Sequence, residues 1–96
     1  MTSKSLHVKR RKFKAGDVIF NEGDIRDNAY IIETGAVDII RGHQTDHEIN
    51  YATLKAGDLF GEMALMEPGL RSASAVAKNE TVTFIISSKV LEDRLQ

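Results

Sequence analysis

Apolar residues recur at every second position in several short segments of this chain, and glycine-bearing turns separate the segments at intervals of roughly ten residues. Alternation of this kind is typical of a β-strand that turns one face to a core and the other face to solvent. Near the C-terminus, for example, Val82, Phe84 and Ile86 fall on one face of a strand. The pattern predicts a mostly β chain, folded as an antiparallel sandwich or barrel.

The turns assign individual strands. Residues 8–13 and Val18–Phe20 are predicted to be opening strands around a turn at residues 14–17. Gly35 separates two apolar segments and predicts a hairpin. In the second strand of that hairpin, alternation places Val37, Ile39 and Arg41 on one face and Asp38 and Ile40 on the other. Four aromatic residues fall on predicted strands and are assigned to the core rather than to contacts with a ligand: Tyr30, Tyr51, Phe60 and Phe84.

A short internal repeat indicates two similar halves. KAGDVIF at residues 14–20 reappears as KAGDLF at residues 55–60, and in each copy a glycine turn leads into an apolar strand. Two similar halves suit an antiparallel double-stranded β-helix, which is also called a jelly roll. After the last strand, Ser87 or Ser88 is predicted to cap a short, truncated C-terminal helix.

Composition limits the classes of protein to which the chain can belong. With 96 residues, of which 42% are hydrophobic and 28% charged, we predict a single domain over residues 1–96. The chain has no cysteine, which excludes disulfides, thiolate metal sites and a cysteine nucleophile. No apolar run is longer than four residues, as at 63–66, so neither a membrane span nor a secretion signal is predicted and the expected location is cytoplasmic.

Charge is distributed unevenly along the chain. The first sixteen residues carry six positive charges and no acidic residue, at Lys4, Lys9, Arg10, Arg11, Lys12 and Lys14. The other eighty residues have a net charge of −7. A basic segment of this kind can contact nucleic acid or an anionic membrane, but a solvated first strand is the favoured interpretation. Because the acidic remainder repels a phosphate backbone, no direct nucleic-acid partner is expected.

The segment with most chemical content begins at Gly61, where helix-forming residues follow a glycine inside a chain of predicted strands. If a short helix begins at Glu62, the amides of its first turn have no partners within the helix and favour an anion. Gly61 has no side chain and lets a ligand approach the backbone. Pro68 and Gly69 end the helix, so that Arg71 can bring its guanidinium group to the same anion. These residues predict a phosphate-binding cup.

The residues after this turn leave room for a ligand. A strand that begins at Arg71 places Ala73, Ala75 and Ala77 on one face, and such small side chains bury little apolar area. Glu62 is harder to explain, because a carboxylate beside a phosphate is repelled unless it accepts a hydrogen bond or is balanced by a cation. A ribose hydroxyl is a suitable donor.

Together these motifs resemble a known family. FGEMAL, five further residues and then RSA form a pattern similar to the phosphate-binding cassette of the cyclic nucleotide-binding domain. That family includes bacterial catabolite-activator-type regulators, kinase regulatory subunits and cyclic-nucleotide-gated channels. The similarity also covers FKAGDVIFNEGD and AYIIETGAVDI, within residues 13–39, and continues through KAGDLFGEMAL towards the final helix.

The resemblance implies that seven residues bind the nucleotide: Gly61, Glu62, Met63, Ala64, Arg71, Ser72 and Ala73. Three of them, at 61, 63 and 64, would offer backbone donors to the phosphate. Glu62 would accept a hydrogen bond from the ribose 2′-hydroxyl, and Arg71 would pair with the exocyclic phosphate oxygens. Ser72 occupies a position where family members vary between alanine and a hydroxyl residue, so base preference stays open, with cAMP favoured over cGMP.

Two departures from the family pattern change the expectation. Leu70 stands where the family often has proline, while Pro68 lies two residues earlier, so we expect an altered turn with the site retained. Family members usually continue into a long C-terminal helix that covers the base and relays occupancy to an effector. That lid helix and any output segment are expected to be absent here, and the resemblance names no effector.

The expected function is reversible binding of a 3′,5′-cyclic nucleotide by a regulatory sensor module that catalyses no reaction and needs no cofactor or metal. A second copy of the chain, packed against the closing helix, is a further candidate partner. One alternative is an interaction module that has lost nucleotide affinity. Another is a cupin-type metalloprotein with His43 and His47 as ligands, but their position in a loop without a second cluster favours a solvated hairpin tip.

Overall fold

Eight strands and a short 3-10 helix form the domain between residues 8 and 89, which are the residues that the computed structural model describes. The strands are β1 (Lys9–Phe13), β2 (Val18–Phe20), β3 (Ala29–Thr34), β4 (Ala36–Arg41), β5 (Ile49–Lys55), β6 (Leu59–Phe60), β7 (Ser74–Ala77) and β8 (Thr81–Ile86). The 3-10 helix, Glu62–Leu65, lies between β6 and β7.

The strands form two antiparallel sheets of four strands each. The first sheet has the order β1-β8-β3-β6 and the second has the order β2-β7-β4-β5. The chain changes sheet at every connection except the one between β4 and β5, as the crossing connections of a jelly roll require. The predicted fold class, a mostly β jelly roll with a short helix in the cassette, is confirmed.

The core lies between the two sheets and draws residues from both. Its buried cluster consists of Phe13, Ile19, Tyr30, Ile32, Val37, Phe60, Ala75 and Ala77. The rings of Phe20, Tyr30 and Phe60 pack together with centroids 5.3 to 6.0 Å apart, in the range of favourable aromatic pairs. This aromatic trio joins β2, β3 and β6 where the candidate site lies.

Gly35 marks a corner between the sheets, and the hairpin predicted there is wrong. β3 belongs to the first sheet and β4 to the second, so the two strands flanking Gly35 do not pair. The backbone at Gly35 has φ 99°, and a Cβ there would overlap the side chain and backbone of Thr81. The chain therefore passes from one sheet to the other through a position that only glycine fits.

Three further expectations about strands need correction. The strand expected from Arg71 begins at Ser74, because the backbone of Arg71 bonds to the loop before β3. Val82, Phe84 and Ile86 share a face as predicted, but the opposite face of β8 carries the fully buried residues Thr81 and Thr83. The aromatic prediction fails for Tyr51, which is 57% exposed where the β4–β5 register shifts. Phe84 is outside the buried core as well, because it is half-buried on the other face of β8, with the guanidinium group of Arg10 over its ring.

Some predicted features at the two ends of the chain lie outside the described residues. Ser88 and Lys89 are helical, and the rest of the predicted C-terminal helix lies outside the described residues, as does Lys4 of the basic segment. None of the helical segments within residues 8–89 has the length and apolar character needed to cross a membrane.

Candidate functional site

A cavity of about 280 Å³ opens beside the 3-10 helix that follows β6. Six of the seven predicted site residues line it: Gly61, Glu62, Met63, Arg71, Ser72 and Ala73. Ala64 is not among the lining residues, and its amide donates to the Gly61 carbonyl at 3.1 Å. Residues that are separated along the cassette therefore meet around one cavity.

The helix of the cassette begins at a left-handed glycine. Gly61 has φ 72° and directly precedes the 3-10 helix. Because the first hydrogen bond of this helix runs from the Ala64 amide to the Gly61 carbonyl, the amides of Glu62 and Met63 have no acceptor within the helix. No side chain caps this end of the helix. The turn that lines the cavity thus contains two amides that an external acceptor can satisfy.

Arg71 is the one charged residue that is buried among residues 8–89, and 4% of its side chain is exposed. Its Nη2 donates to Asp27 Oδ1 at 2.8 Å and to the Asn28 carbonyl at 2.7 Å. Its Nη1 donates to the Gly61 carbonyl at 3.3 Å. The buried Nε has no hydrogen-bond partner among the described residues. A buried cation needs such acceptors, and one of its donors, Nε, is left without an acceptor.

Phe20 and Gly61 fix the position of this guanidinium group. Arg71 Cζ lies 3.9 Å from the centroid of the Phe20 ring, close enough for a cation–π interaction. A Cβ at position 61 would lie 2.9 Å from Arg71 Nη1 and 3.3 Å from Phe20 Cε2. Because Gly61 has no side chain, the guanidinium group of Arg71 can occupy this position. The sequence alone suggested that the missing side chain makes room only for a ligand.

The loop between β2 and β3 holds the backbone and the side chain of Arg71. The Gly23 amide donates to the Arg71 carbonyl at 2.8 Å, and the Arg71 amide donates to the Asp24 carbonyl at 2.7 Å. The Asp27 side chain, which pairs with the guanidinium group, is 67% exposed. The cation of the cassette, Arg71, is thus paired with an anion that faces solvent. The same carboxylate contributes to raising the pKa of Tyr30, although burial of the tyrosine is the larger cause.

The cavity combines this buried cation with exposed polar groups and an apolar wall. Glu62 and Ser72 are exposed, whereas Ala73 is buried. The wall consists of Phe20, Ile39, Leu54, Leu59 and Phe60. Such a cavity can bind a ligand that carries an anionic group at one end and a flat, weakly polar group at the other.

Sequence reasoning missed the residues that reach the cavity from outside the cassette. Arg26 lines the cavity, Asp27 and Asn28 hold Arg71, and Phe20 lies under the guanidinium group. Phe20 belongs to the KAGDVIF segment, but alternation identified it only as a strand residue. No local signal marks Asp27 or Asn28, because their contacts join positions 44 and 43 residues apart.

The histidines of the metal-binding alternative lie in the loop between β4 and β5. His43 Nδ1 lies 2.8 Å from Glu48 Oε2, and the Gln44 amide donates to the same oxygen at 3.0 Å. The Gln44 amide, and then His43, lower the pKa of Glu48. Within residues 8–89, no three histidine or acidic side chains form a group suited to a metal ion. The described loop thus has the character of a hydrogen-bonded hairpin tip.

Comparison with known proteins identifies relatives of the whole domain. The family model described as the cyclic nucleotide-binding domain matches residues 10–96. The cyclic AMP receptor protein of Thermus thermophilus is 41% identical over 75 residues, which are 78% of this chain and 35% of that protein. The cAMP-dependent protein kinase regulatory subunit of Blastocladiella emersonii is 34% identical over 76 residues, covering 79% of this chain and 19% of that subunit. The chain spans about a third or less of these relatives.

Solved structures give the same result. The Thermus thermophilus catabolite activator protein superposes with a TM-score of 0.85 at 35% identity, over 95% of this chain and 44% of that one. The EAL enzyme Bd1971 superposes in its cAMP-bound and cGMP-bound forms with TM-scores of 0.80 and 0.81, at 36% identity, over 91% of this chain and 23% of that enzyme. With the family model matching nearly its full length, this chain belongs to the cyclic nucleotide-binding domain family.

Proposed function

We propose that this domain reversibly binds a 3′,5′-cyclic nucleotide at the cavity beside the 3-10 helix, and that it acts as a regulatory sensor. The observation that carries the proposal is the buried Arg71 side chain, which lines the cavity next to the opening turn of that helix. A buried guanidinium group with an unpartnered Nε suits a ligand with a negative charge and several acceptor oxygens. A cyclic phosphate has both.

In the proposed complex the cassette residues have different roles towards the nucleotide. Arg71 pairs with the exocyclic phosphate oxygens, and the backbone amides at Gly61, Met63 and Ala64 donate to the phosphate. Of these amides, that of Met63 is one of the two that the 3-10 helix leaves without an acceptor. Ala64 would have to share its amide with the Gly61 carbonyl, to which it already donates. Glu62, exposed at the edge of the cavity, accepts a hydrogen bond from the ribose 2′-hydroxyl. Ser72 and Ala73 line the same cup.

The base is proposed to be adenine. The bacterial and fungal relatives described above are named for cyclic AMP, which supports this preference. The related EAL enzyme has been solved with cAMP and with cGMP, so the fold accommodates both bases. The apolar wall formed by residues such as Ile39, Leu54 and Leu59 offers contacts to either base.

Regulation would follow from the competition for Arg71. A bound phosphate and the Asp27 carboxylate both pair with the same guanidinium group, so occupancy favours one position of the cassette over another. We propose that the domain performs no catalysis itself and controls an effector in the cytoplasm. The family is that of a binding domain, and the matching part of the EAL enzyme is 23% of its chain.

A second candidate is an interaction module without nucleotide affinity. The contacts of Arg71 with Asp27 and Asn28 favour it, since they satisfy Nη2 within the protein itself. In that case the guanidinium group serves only to tie the cassette to the loop before β3. Titration with cyclic nucleotides separates the two functions.

The decisive experiment is thermal unfolding with cAMP, cGMP or 5′-AMP at about 1 mM, compared across three proteins: wild type, Arg71→Ala and Arg11→Ala. For a micromolar site, this concentration adds about 4 kcal/mol to the free energy of unfolding. In a domain of this size the midpoint temperature of unfolding then rises by more than about ten degrees. We expect a rise with a cyclic nucleotide, the larger with cAMP, and none with 5′-AMP.

The variants test the role of Arg71. Arg71→Ala is expected to weaken nucleotide binding by about 1.5 to 3 kcal/mol, the scale of a charged hydrogen bond. Arg11→Ala is the matched control, because Arg11 also stacks on an aromatic ring, that of Phe13 at 5.2 Å, but does not line the cavity. A wild-type protein that responds to no cyclic nucleotide would support the interaction module. Equal dissociation constants for wild type and Arg71→Ala would rule out Arg71 as the clamp.

A further inference from the structure

Arg26 joins the loop before β3 to the turn of the cassette through three polar contacts. Its backbone amide donates to the Gly69 carbonyl at 2.9 Å, and its Nε donates to the Leu70 carbonyl at 3.1 Å. Its Nη1 lies 3.7 Å from Glu67 Oε1. The arginine side chain is 17% exposed, whereas that of Glu67 is 61% exposed. The carbonyl contacts are therefore the stronger part of this junction, and the ion pair contributes little.

The carbonyl that Arg26 holds belongs to the peptide bond that leads into Arg71. Ile25 and Leu70 form an antiparallel bridge next to it, so the loop and the turn run side by side. The following residue, Asp27, holds the guanidinium group of Arg71 at 2.8 Å. Two consecutive loop residues thus fix the backbone just before Arg71 and the tip of its side chain.

We propose that Arg26 is a positioning residue of the nucleotide site. It holds the turn 67–70 against the loop and thereby sets where Arg71 meets the phosphate. Arg26 itself lines the cavity, but its guanidinium group is engaged by the turn, so its effect on the ligand passes through Arg71. This inference rests on the nucleotide binding proposed above.

The test is a double-mutant cycle on cAMP affinity, measured by calorimetry for wild type, Arg26→Met, Arg71→Lys and the double variant. Methionine keeps an unbranched apolar stem and removes every donor of the side chain. We expect Arg26→Met to weaken binding by about five- to tenfold, the scale of a hydrogen bond. In the Arg71→Lys background the same change should alter affinity by less than about twofold, because the group that Arg26 positions is gone.

Two further variants serve as controls for the double-mutant cycle. Arg26→Lys keeps the charge and loses the Nε donor, so it should weaken binding in the same direction even if the methionine variant does not fold. Arg10→Met removes an arginine that pairs with Glu33 on β3, away from the cavity, and should leave affinity unchanged. Equal affinity for wild type and both Arg26 variants would overturn the proposal, as would the same loss in the Arg71→Lys background.

Hydrogen exchange separates this inference from the proposed function. In the protein without nucleotide, Arg26→Met should speed exchange of the Arg71 amide, which donates to Asp24, and leave the Ala75 amide in the core strand unchanged. Wild-type protein that binds no cyclic nucleotide would refute the proposed function, while the exchange result would still decide whether Arg26 holds the turn. Unchanged exchange at Arg71 would refute the positioning role.

Discussion

At the scale of single residues, Gly61 links backbone conformation to the binding site. Gly61→Ala should destabilise the fold by roughly 1 to 2 kcal/mol, because φ of 72° is unfavourable for alanine. It should also weaken cAMP binding, because the new Cβ would lie 2.9 Å from Arg71 Nη1. Urea unfolding and calorimetric titration measure the two effects.

Gly57→Ala is the control for this substitution. Its φ is 94°, but a Cβ there would meet nothing within 4 Å, so it should lower stability by a similar amount without affecting the nucleotide. If both variants bound cAMP with wild-type affinity, the close contact between Gly61 and Arg71 would have no part in binding.

Glu62 can be tested through the ribose. Glu62→Gln keeps a hydrogen-bond acceptor and loses the charge, so cAMP binding should weaken by less than about 1.5 kcal/mol. The preference for cAMP over 2′-deoxy-cAMP should fall at the same time, because the hydroxyl would lose its charged partner. Titrating both ligands into wild type, Glu62→Gln and Glu80→Gln, an exposed carboxylate in the β7–β8 turn, measures the ratio. An unaltered ratio in Glu62→Gln would exclude the ribose contact.

The cassette residues could be proposed from the sequence because they are nearly contiguous. Glycine before a helix former and an arginine after a Pro-Gly pair are local signals, and the family resemblance completes the set of seven residues, of which six line the cavity. Asp27 and Phe20 could not be found in the same way. Their relation to Arg71 exists only once β2 and β7 have paired and the loop between β2 and β3 lies on the cassette.

At the scale of elements, β8 contains two buried threonines, of which one has a hydrogen-bonded hydroxyl and the other does not. The Thr81 hydroxyl accepts from the Ala36 amide at 3.2 Å and lies 2.9 and 3.0 Å from the Asn79 and Ala36 carbonyl oxygens. The Thr83 hydroxyl is buried and has no partner among the described residues. Thr81 therefore fixes the corner where the chain changes sheet, and Thr83 only fills space in the core.

Replacing each threonine with valine separates these roles. Thr81→Val should destabilise the domain by about 1 to 3 kcal/mol, because it leaves the partly buried amide of Ala36 without its acceptor. Thr83→Val, of nearly the same shape, should be neutral or stabilising, because it removes an unsatisfied hydroxyl. Chemical denaturation of both variants provides the measurement, and a larger loss at Thr83 than at Thr81 would contradict this assignment.

Element prediction from the sequence succeeded for strand positions and failed for some strand partners. Alternation located β3 and β4, but the glycine between them is equally compatible with a hairpin and with a corner. The decision depends on the contact between Gly35 and Thr81, which lies 46 positions away in the sequence. Tyr51 similarly follows the alternation, yet the register shift in the β4–β5 pairing leaves it exposed.

At the scale of the whole molecule, the basic segment coincides with an outer strand. β1 lies at one edge of the first sheet, and its four exposed residues are consecutive cations, Lys9, Arg10, Arg11 and Lys12. Charged side chains on an edge strand hinder pairing with the edge of another molecule. Protection of the sheet edge therefore accounts for the four cations of β1.

Replacing lysines on this edge should promote self-association. Light scattering over a concentration series should detect larger particles for Lys9→Thr/Lys12→Thr than for wild type, because threonine favours strands and carries no charge. Lys14→Thr/Lys78→Thr makes the same change in net charge outside the strands and serves as the control. Identical scattering from the two double variants would indicate that net charge, and not the edge, sets solubility.

The pairing of the first strand with the last has a consequence for the order of folding. Phe13 lies opposite Thr81, and Arg71 reaches back to Asp27, so the chain must close long loops before the sheet or the cavity is complete. Closing such loops costs entropy before any contact offsets it, which slows folding of strand-rich domains. We therefore expect the cavity to form late in folding, so that the proposed nucleotide would slow unfolding of the finished domain and leave its folding rate unchanged.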